Sequence, residues 1–241
     1  MSPAQIRQVE TPTGTFRASH QSNTGVRSFR IYLLLLSLAT LLAAAGSLPR
    51  PPLTEPGLPD LATVLPHVTE LPQRPRILGY ERSAFGPGWA RADGCTVREA
   101  MLLDAGATLR DCRVTAGLAR DPFTGEELDL REGVEIDHLL PLSAAWDLGA
   151  HRWSDRKRRA FANDPLNLVV TSRAANQRKS DLLPASWQPA DRRARCWYAR
   201  RLAVVAATYE LPLPATDITA MTRACRMDGV TRHWLGWSVD L

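Results

Sequence analysis

The chain has 241 residues, 44% of them hydrophobic and 23% charged, with a formal net charge of +5 and a pI near 9.4. That balance excludes a disordered or fibrous chain and leaves ample apolar content for one folded domain of roughly 150–170 residues. The excess of positive charge suits a polyanionic partner.

The N-terminus reads as a targeting signal. Residues 1–30 form a basic, polar lead, and 31–48 (IYLLLLSLATLLAAAGSL) form an almost unbroken apolar run preceded by Arg27 and Arg30. A run of that length fits either a signal peptide, with Ala43-Ala44-Ala45-Gly46 as the cleavage region, or an N-terminal transmembrane anchor. A start at Val26 would give an ordinary short basic lead. Both options place the rest of the chain outside the cytoplasm, secreted or membrane-anchored. The next stretch, 49–75, is rich in proline and reads as an extended linker. The folded domain is then expected over 76–241.

Within that domain, Phe85-Gly86-Pro87-Gly88-Trp89 predicts a turn with two aromatic anchors. Thr96 to Asp104 predicts a helix with a capping box, Thr96 as N-cap and Glu99 three residues on. Gly133 to Leu140 predicts a short strand running into Pro141. Ser154 to Asn163 predicts a basic helix, Leu168 to Thr171 a β-branched strand, and Arg173 to Ser180 a short helix. Asp191 to Tyr209 predicts a long helix, and Thr216 to Met227 another. The tail from Gly229 fits a docking strand or a frayed end equally. The mixture is α+β. Cys95, Cys112, Cys196 and Cys225 lack any C-x-x-C spacing. In an exported chain they predict two disulfides, and the most local pairing is Cys95 with Cys112 and Cys196 with Cys225. A zinc site would want closely spaced ligand pairs.

Two compositional biases point to one region. Lys157 and Lys179 are the only lysines among 30 basic residues, so Lys179 departs from the chain's preference for arginine. Only Asn23, Asn163, Asn167 and Asn176 are asparagines, and three of them follow soon after Asp137-His138. An acid beside a histidine at a strand end, with two asparagines and a lysine able to fold back onto it, fits hydrolysis of a phosphodiester. That reaction needs an activated water and stabilisation of charge on phosphorus. His138 is the candidate base and Asp137 a candidate metal ligand, provided the strand bends or ends before Pro141. Asn176 can offer an amide oxygen, Asn167 can bridge backbone or hold the imidazole, and Lys179 lies one helical turn after Asn176. Glu135 faces the same side as Asp137. The run Arg156-Lys157-Arg158-Arg159 could follow a phosphate backbone or be a solvated helix face. No aromatics alternate with cations as in single-strand binders.

The order D-H-x-x-P, asparagine loop, short strand, then helix with N-x-x-K-S-D resembles the ββα-metal (His-Me finger) fold of HNH endonucleases. The segment VEIDHLLPLS…NLVVTSRAANQRKSDLLP is similar to the HNH domain of CRISPR effector proteins. It is more similar still to the secreted bacterial HNH family related to the C-terminal domain of GmrSD-type restriction endonucleases. F-G-x-G-W, G-C-x-x-R-E, D-P-F-T-G, F-A-N-D-P-L-N-L and R-C-W-Y share that likeness. The resemblance implies a ββα-metal core with surrounding helices and an endonuclease of little sequence specificity acting on double-stranded DNA. It implies His138 as base, Asn167 as the residue orienting it, Asp137 and Asn176 as metal ligands, and Lys179 with Arg178 as phosphate contacts. One carboxylate, one amide and water favour Mg²⁺ or Mn²⁺ over zinc. The rival expectation is a non-catalytic exported nucleic-acid-binding module on the same fold.

Overall fold

A computed structural model describes residues 24–46, 52–92 and 94–235. The chain divides into two units, residues 1–49 and 50–241. In the first, α1 (Thr24–Gly46) is a single helix with exposed apolar side chains such as Leu34 and Leu41. Among the described residues, no helix is long and apolar enough to cross a membrane. Most of the expected lead, residues 1–23, lies outside the described residues, as do 47–51 between the two units.

The second unit begins with α2 (Leu61–Val64), whose last turn tightens over Leu65–His67, and β1 (Glu70–Leu71). A 3₁₀ turn at Arg82–Phe85 leads to β2 (Arg91–Ala92) and β3 (Cys95–Thr96). Next come α3 (Val97–Asp104), the hairpin β4 (Thr108–Arg110) and β5 (Arg113–Ala116), and the hairpin β6 (Leu118–Arg120) and β7 (Glu127–Asp129). Then follow β8 (Val134–His138), α4 (Leu142–Leu148), α5 (Asp155–Ala162), β9 (Leu168–Ser172) and α6 (Arg173–Lys179). The unit closes with α7 (Arg195–Tyr209), β10 (Leu213–Pro214) and α8 (Ala215–Leu235).

Helix starts follow their caps. Thr96 and Glu99 form the expected capping box on α3, and the Ser154 hydroxyl accepts from the Lys157 amide at the start of α5. Ser172 does the same for Ala175 on α6. Each cap satisfies an amide that the first turn leaves orphaned. The tail differs from expectation: helix α8 runs on through Leu235, well past the predicted end at Met227. Residues 236–241 lie outside the described residues.

The Pro-rich stretch is a larger correction. Residues 52–75 do not form a free linker. Leu58, Leu61, Val64 and Val68 are buried against a core that includes Leu202 and Val205 of α7. The Leu53 amide donates to the Arg193 carbonyl at 3.0 Å, and the Trp197 indole donates to Glu55 at 2.7 Å. β1 pairs in parallel with β10. Four apolar side chains at spacings of three to four residues provide enough burial to hold a strap despite its prolines.

Two hydrophobic clusters hold the unit. The larger surrounds α7. The smaller lies between α3 and one face of the β8–β9 sheet, with Leu102, Leu130, Val134, Ile136, Leu168 and Val170. β8 and β9 are antiparallel in unbroken register from Val134↔Ser172 to His138↔Leu168. Helix α6 follows β9 directly. Both disulfides form in the most local pairing: Cys95–Cys112 ties β3 to the β4–β5 turn, and Cys196–Cys225 ties α7 to α8. The protein is α+β and disulfide-stapled.

Candidate functional site

Alternation along β8 decides the geometry of the site. Val134, Ile136 and His138 leave the strand on one face, and Glu135 and Asp137 on the other. Because the pairing with β9 stays regular through His138↔Leu168, the strand stays straight through His138 and the chain bends only at Leu139 and Leu140. The expectation that Asp137 and His138 sit side by side therefore needs correction: they depart from opposite faces of the same strand.

On the first face, His138 is 5% exposed. Its ring stacks on Trp89 with centroids 5.8 Å apart. Its Nε2 lies 2.9 Å from the Ala162 carbonyl oxygen. A carbonyl only accepts, so Nε2 carries the proton and Nδ1 holds a free lone pair. Burial pushes the imidazole pKa down to about 4, with the Ala162 carbonyl opposing and the Arg82 and Lys179 charges adding to the fall. The ring is thus a neutral base of fixed tautomer at physiological pH. A small cleft of about 60 Å³ opens beside it, walled by Arg82, Phe85, Gly86, Gly88 and Trp89. Both glycines have positive φ, and a Cβ at Gly86 would lie 3.1 Å from the Arg159 side chain. That position suits a residue without a side chain.

On the opposite face, α6 meets Glu135 and Asp137. The Asn176 Nδ2 donates to Glu135 at 2.7 Å, and Arg173 pairs with the same carboxylate at 3.0 Å. Lys179 is fully buried, its ammonium 2.7 Å from the His138 carbonyl oxygen and 2.9 Å from Asp137 Oδ2. Apart from that ammonium, the buried Oδ2 takes no hydrogen bond. Burial raises the Asp137 pKa against the pull of Lys179, and burial lowers that of Lys179 against the pull of Asp137. Asn167 is also buried. Its amide clasps the Leu140 backbone, accepting from N at 2.8 Å and donating to O at 3.2 Å.

The sequence-derived candidates therefore divide. Asp137, Asn176 and Lys179 gather on the α6 face, and Asn167 holds the chain where it leaves β8. The imidazole is oriented by Ala162 and Trp89, while Asn167 acts two residues further on. An external phosphate contact from Lys179 would need an exposed ammonium, and this one is spent internally. Arg178 is exposed on α6. Sequence reasoning missed Arg82 and Ala162 and took Trp89 as a packing anchor. The F-G-x-G-W stretch was the available signal for that wall, whereas a backbone carbonyl leaves no mark in a sequence.

A metal can be weighed against these side chains. Among the described residues, no group of three or more His, Cys, Asp or Glu is placed to hold one. A smaller, oxygen-only set of Asp137, Glu135 and the Asn176 amide oxygen suits Mg²⁺ or Mn²⁺. Asp137 Oδ2 would share that role with its contact to the Lys179 ammonium 2.9 Å away.

Residues 103–210 match the family described as GmrSD restriction endonucleases, C-terminal domain. Over 197 residues the chain is 34% identical to an uncharacterized secreted protein of Arthroderma benhamiae, spanning 79% of this chain and 95% of that protein. The chain belongs to the GmrSD C-terminal domain family. That relative is fungal, so limiting the resemblance to bacterial proteins is not supported. The matched GmrSD segment runs from the end of α3 to the end of α7 and includes Asp137, His138, Asn167, Asn176 and Lys179. No solved structure matches the chain.

Proposed function

We propose that the protein is an exported, metal-dependent HNH endonuclease that hydrolyses phosphodiester bonds of double-stranded DNA with little sequence specificity. Its ββα-metal core would be β8, β9 and α6. The observation that carries the reading is the committed Nε2 of His138, which leaves Nδ1 as an unprotonated base beside an arginine-walled cleft. The GmrSD family membership supports nuclease chemistry. Two disulfides, together with the secreted relative, support export.

In this reading Nδ1 takes the proton of the attacking water, and the Ala162 carbonyl steadies the imidazolium that results. Asp137 and Asn176 would hold Mg²⁺ or Mn²⁺, which supplies stabilisation of charge on the phosphorane and the leaving oxygen. Lys179 keeps the Asp137 carboxylate in place from behind, and Arg178 is available to the phosphate backbone. The substrate would lie across the C-terminal end of β8, where groups from both faces can be reached.

The second reading is a non-catalytic nucleic-acid-binding module. The opposite-face placement of Asp137 and His138 and the internal Asp137–Lys179 pair favour it. Nicking of supercoiled plasmid, with Mg²⁺ or with EDTA, separates the two. The wild-type chain should nick only with metal, and His138→Ala should lower the rate by about 10²–10⁴-fold with DNA affinity retained. Equal nicking by His138→Ala, or nicking indifferent to EDTA, would reject the endonuclease.

A further inference from the structure

A cation on the non-bridging oxygens stabilises the charge that grows during phosphodiester hydrolysis, and the lysine nearest the site cannot provide it. Lys179 is fully buried and held by Asp137 and the His138 carbonyl. Several other basic residues of the unit are committed as well. Arg74 bonds Asp147 and Asp181. Arg158 bonds Asp155 and the Trp153 carbonyl. Arg201 bonds the Pro165 and Leu166 carbonyls.

Arg82 differs. It begins the 3₁₀ turn Arg82–Phe85, is exposed, and takes part in no ion pair among the described residues. It is the only cation lining the cleft that His138 lines. At the neighbouring Gly88 nothing lies within 4 Å of where a Cβ would stand, so an incoming group can approach that backbone closely. Trp89 closes the cleft from the side by stacking on the imidazole. An uncommitted guanidinium lining the cleft that His138 also lines can receive a tetrahedral anion, because the planar fork can meet two oxygens at once.

We infer that Arg82 grips the reacting phosphodiester, presenting it to His138 from the 82–89 segment. This deepens the endonuclease reading and rests on it. The guanidinium makes and breaks no covalent bond. It binds two non-bridging oxygens and strengthens its hold as negative charge grows on them.

The test compares wild type, Arg82→Ala, Arg82→Lys and Arg113→Ala, the last a charge control on hairpin β4–β5. Two substrates are used with Mn²⁺: bis(p-nitrophenyl) phosphate, which offers one diester and no nucleic-acid track, and a fluorescein-labelled 20-base-pair duplex. Loss of Arg82 should lower kcat/KM by about 100-fold on both substrates, with Lys recovering part and Arg113→Ala near wild type. A loss under threefold on the small diester would overturn the assignment, because a residue that only follows the DNA backbone affects the duplex alone. If wild type and His138→Ala both leave the substrates intact, the endonuclease reading fails. Duplex binding by anisotropy then decides Arg82: a Kd unchanged in Arg82→Ala overturns it, and a Kd weakened in that variant but not in Arg113→Ala sustains its contact with phosphate.

Discussion

The β8–β9–α6 unit and the 82–89 segment meet at His138, and they are built on opposite principles. In the first, polar groups are buried or half-buried and matched to one another: Asp137 to Lys179, Glu135 to Asn176, Asn167 to the Leu140 backbone. In the second, a short turn carries an exposed guanidinium without an ion-pair partner, two glycines and a tryptophan. A buried network fixes geometry, since breaking any member leaves an unsatisfied group in a medium of low dielectric. A surface turn holds nothing in register and can spend its charge on a ligand. The contrast teaches that the motif's lysine, Lys179, is committed inside the fold, and that an uncommitted cation beside His138 comes from outside the motif.

The largest expected effect lies in the buried network. Lys179→Ala strands the Asp137 carboxylate, and removing one partner of a buried pair costs about 3–5 kcal/mol. Thermal or urea unfolding should show a steep loss, whereas Arg178→Ala, exposed on the same helix, should stay within about 0.5 kcal/mol of wild type. Should Lys179→Ala melt alongside wild type, the pair does not hold the site, and the division between matched network and free turn dissolves.

A smaller effect concerns acid. Burial holds His138 at about 4 in the folded chain, below its ordinary value of 6.5. Between those values the unfolded chain binds the proton more readily, so stability present above pH 6.5 is lost as pH falls towards 4 and levels off below. The size is on the order of 3 kcal/mol. Asp137 and Lys179 also titrate abnormally, so the measurement is the difference between wild type and His138→Gln across that window. Parallel curves would mean the imidazole is more solvated than its contacts with Trp89 and Ala162 imply.

Much of this was legible in the sequence, for identifiable reasons. Capping residues sit within three positions of the amides they serve, so α3 and α5 could be placed from Thr96 and Ser154. The β8 and β9 strands were readable from β-branched runs, and the local disulfide pairing from chain distance. The illegible parts depend on contacts between residues far apart. The hairpins β4–β5 and β6–β7 have strands of three or four residues, too short to show a period. Helix α4 lacks an acceptor side chain at its N-cap, Pro141. The roles of Lys179 and Arg82 were hidden for the same reason: spacing puts Lys179 one turn from Asn176 but does not say whether its ammonium meets water or Asp137.

The strap over 52–75 gives the smallest expected effect and the sharpest check on reading composition as structure. Its prolines suggested an open linker, yet Leu58 is 8% exposed, and the Arg200 guanidinium bonds the carbonyls of Leu58 and Pro59. Truncating Leu58 to Ala should lower stability by about 2 kcal/mol, the lower end for a buried leucine, because a surface strap can relax into part of the cavity. Leu118→Ala, at a leucine 62% exposed on β6, should change little. The urea midpoint is the measurement, read at constant m-value so that a change in compactness is not mistaken for one in stability. Equal midpoints for the two variants would return residues 52–75 to the status of a loose tether. A deficit confined to Leu58→Ala would mean that the strap belongs to the core around α7, and that the polypeptide leading into the Arg82 turn is anchored from Leu53 onward.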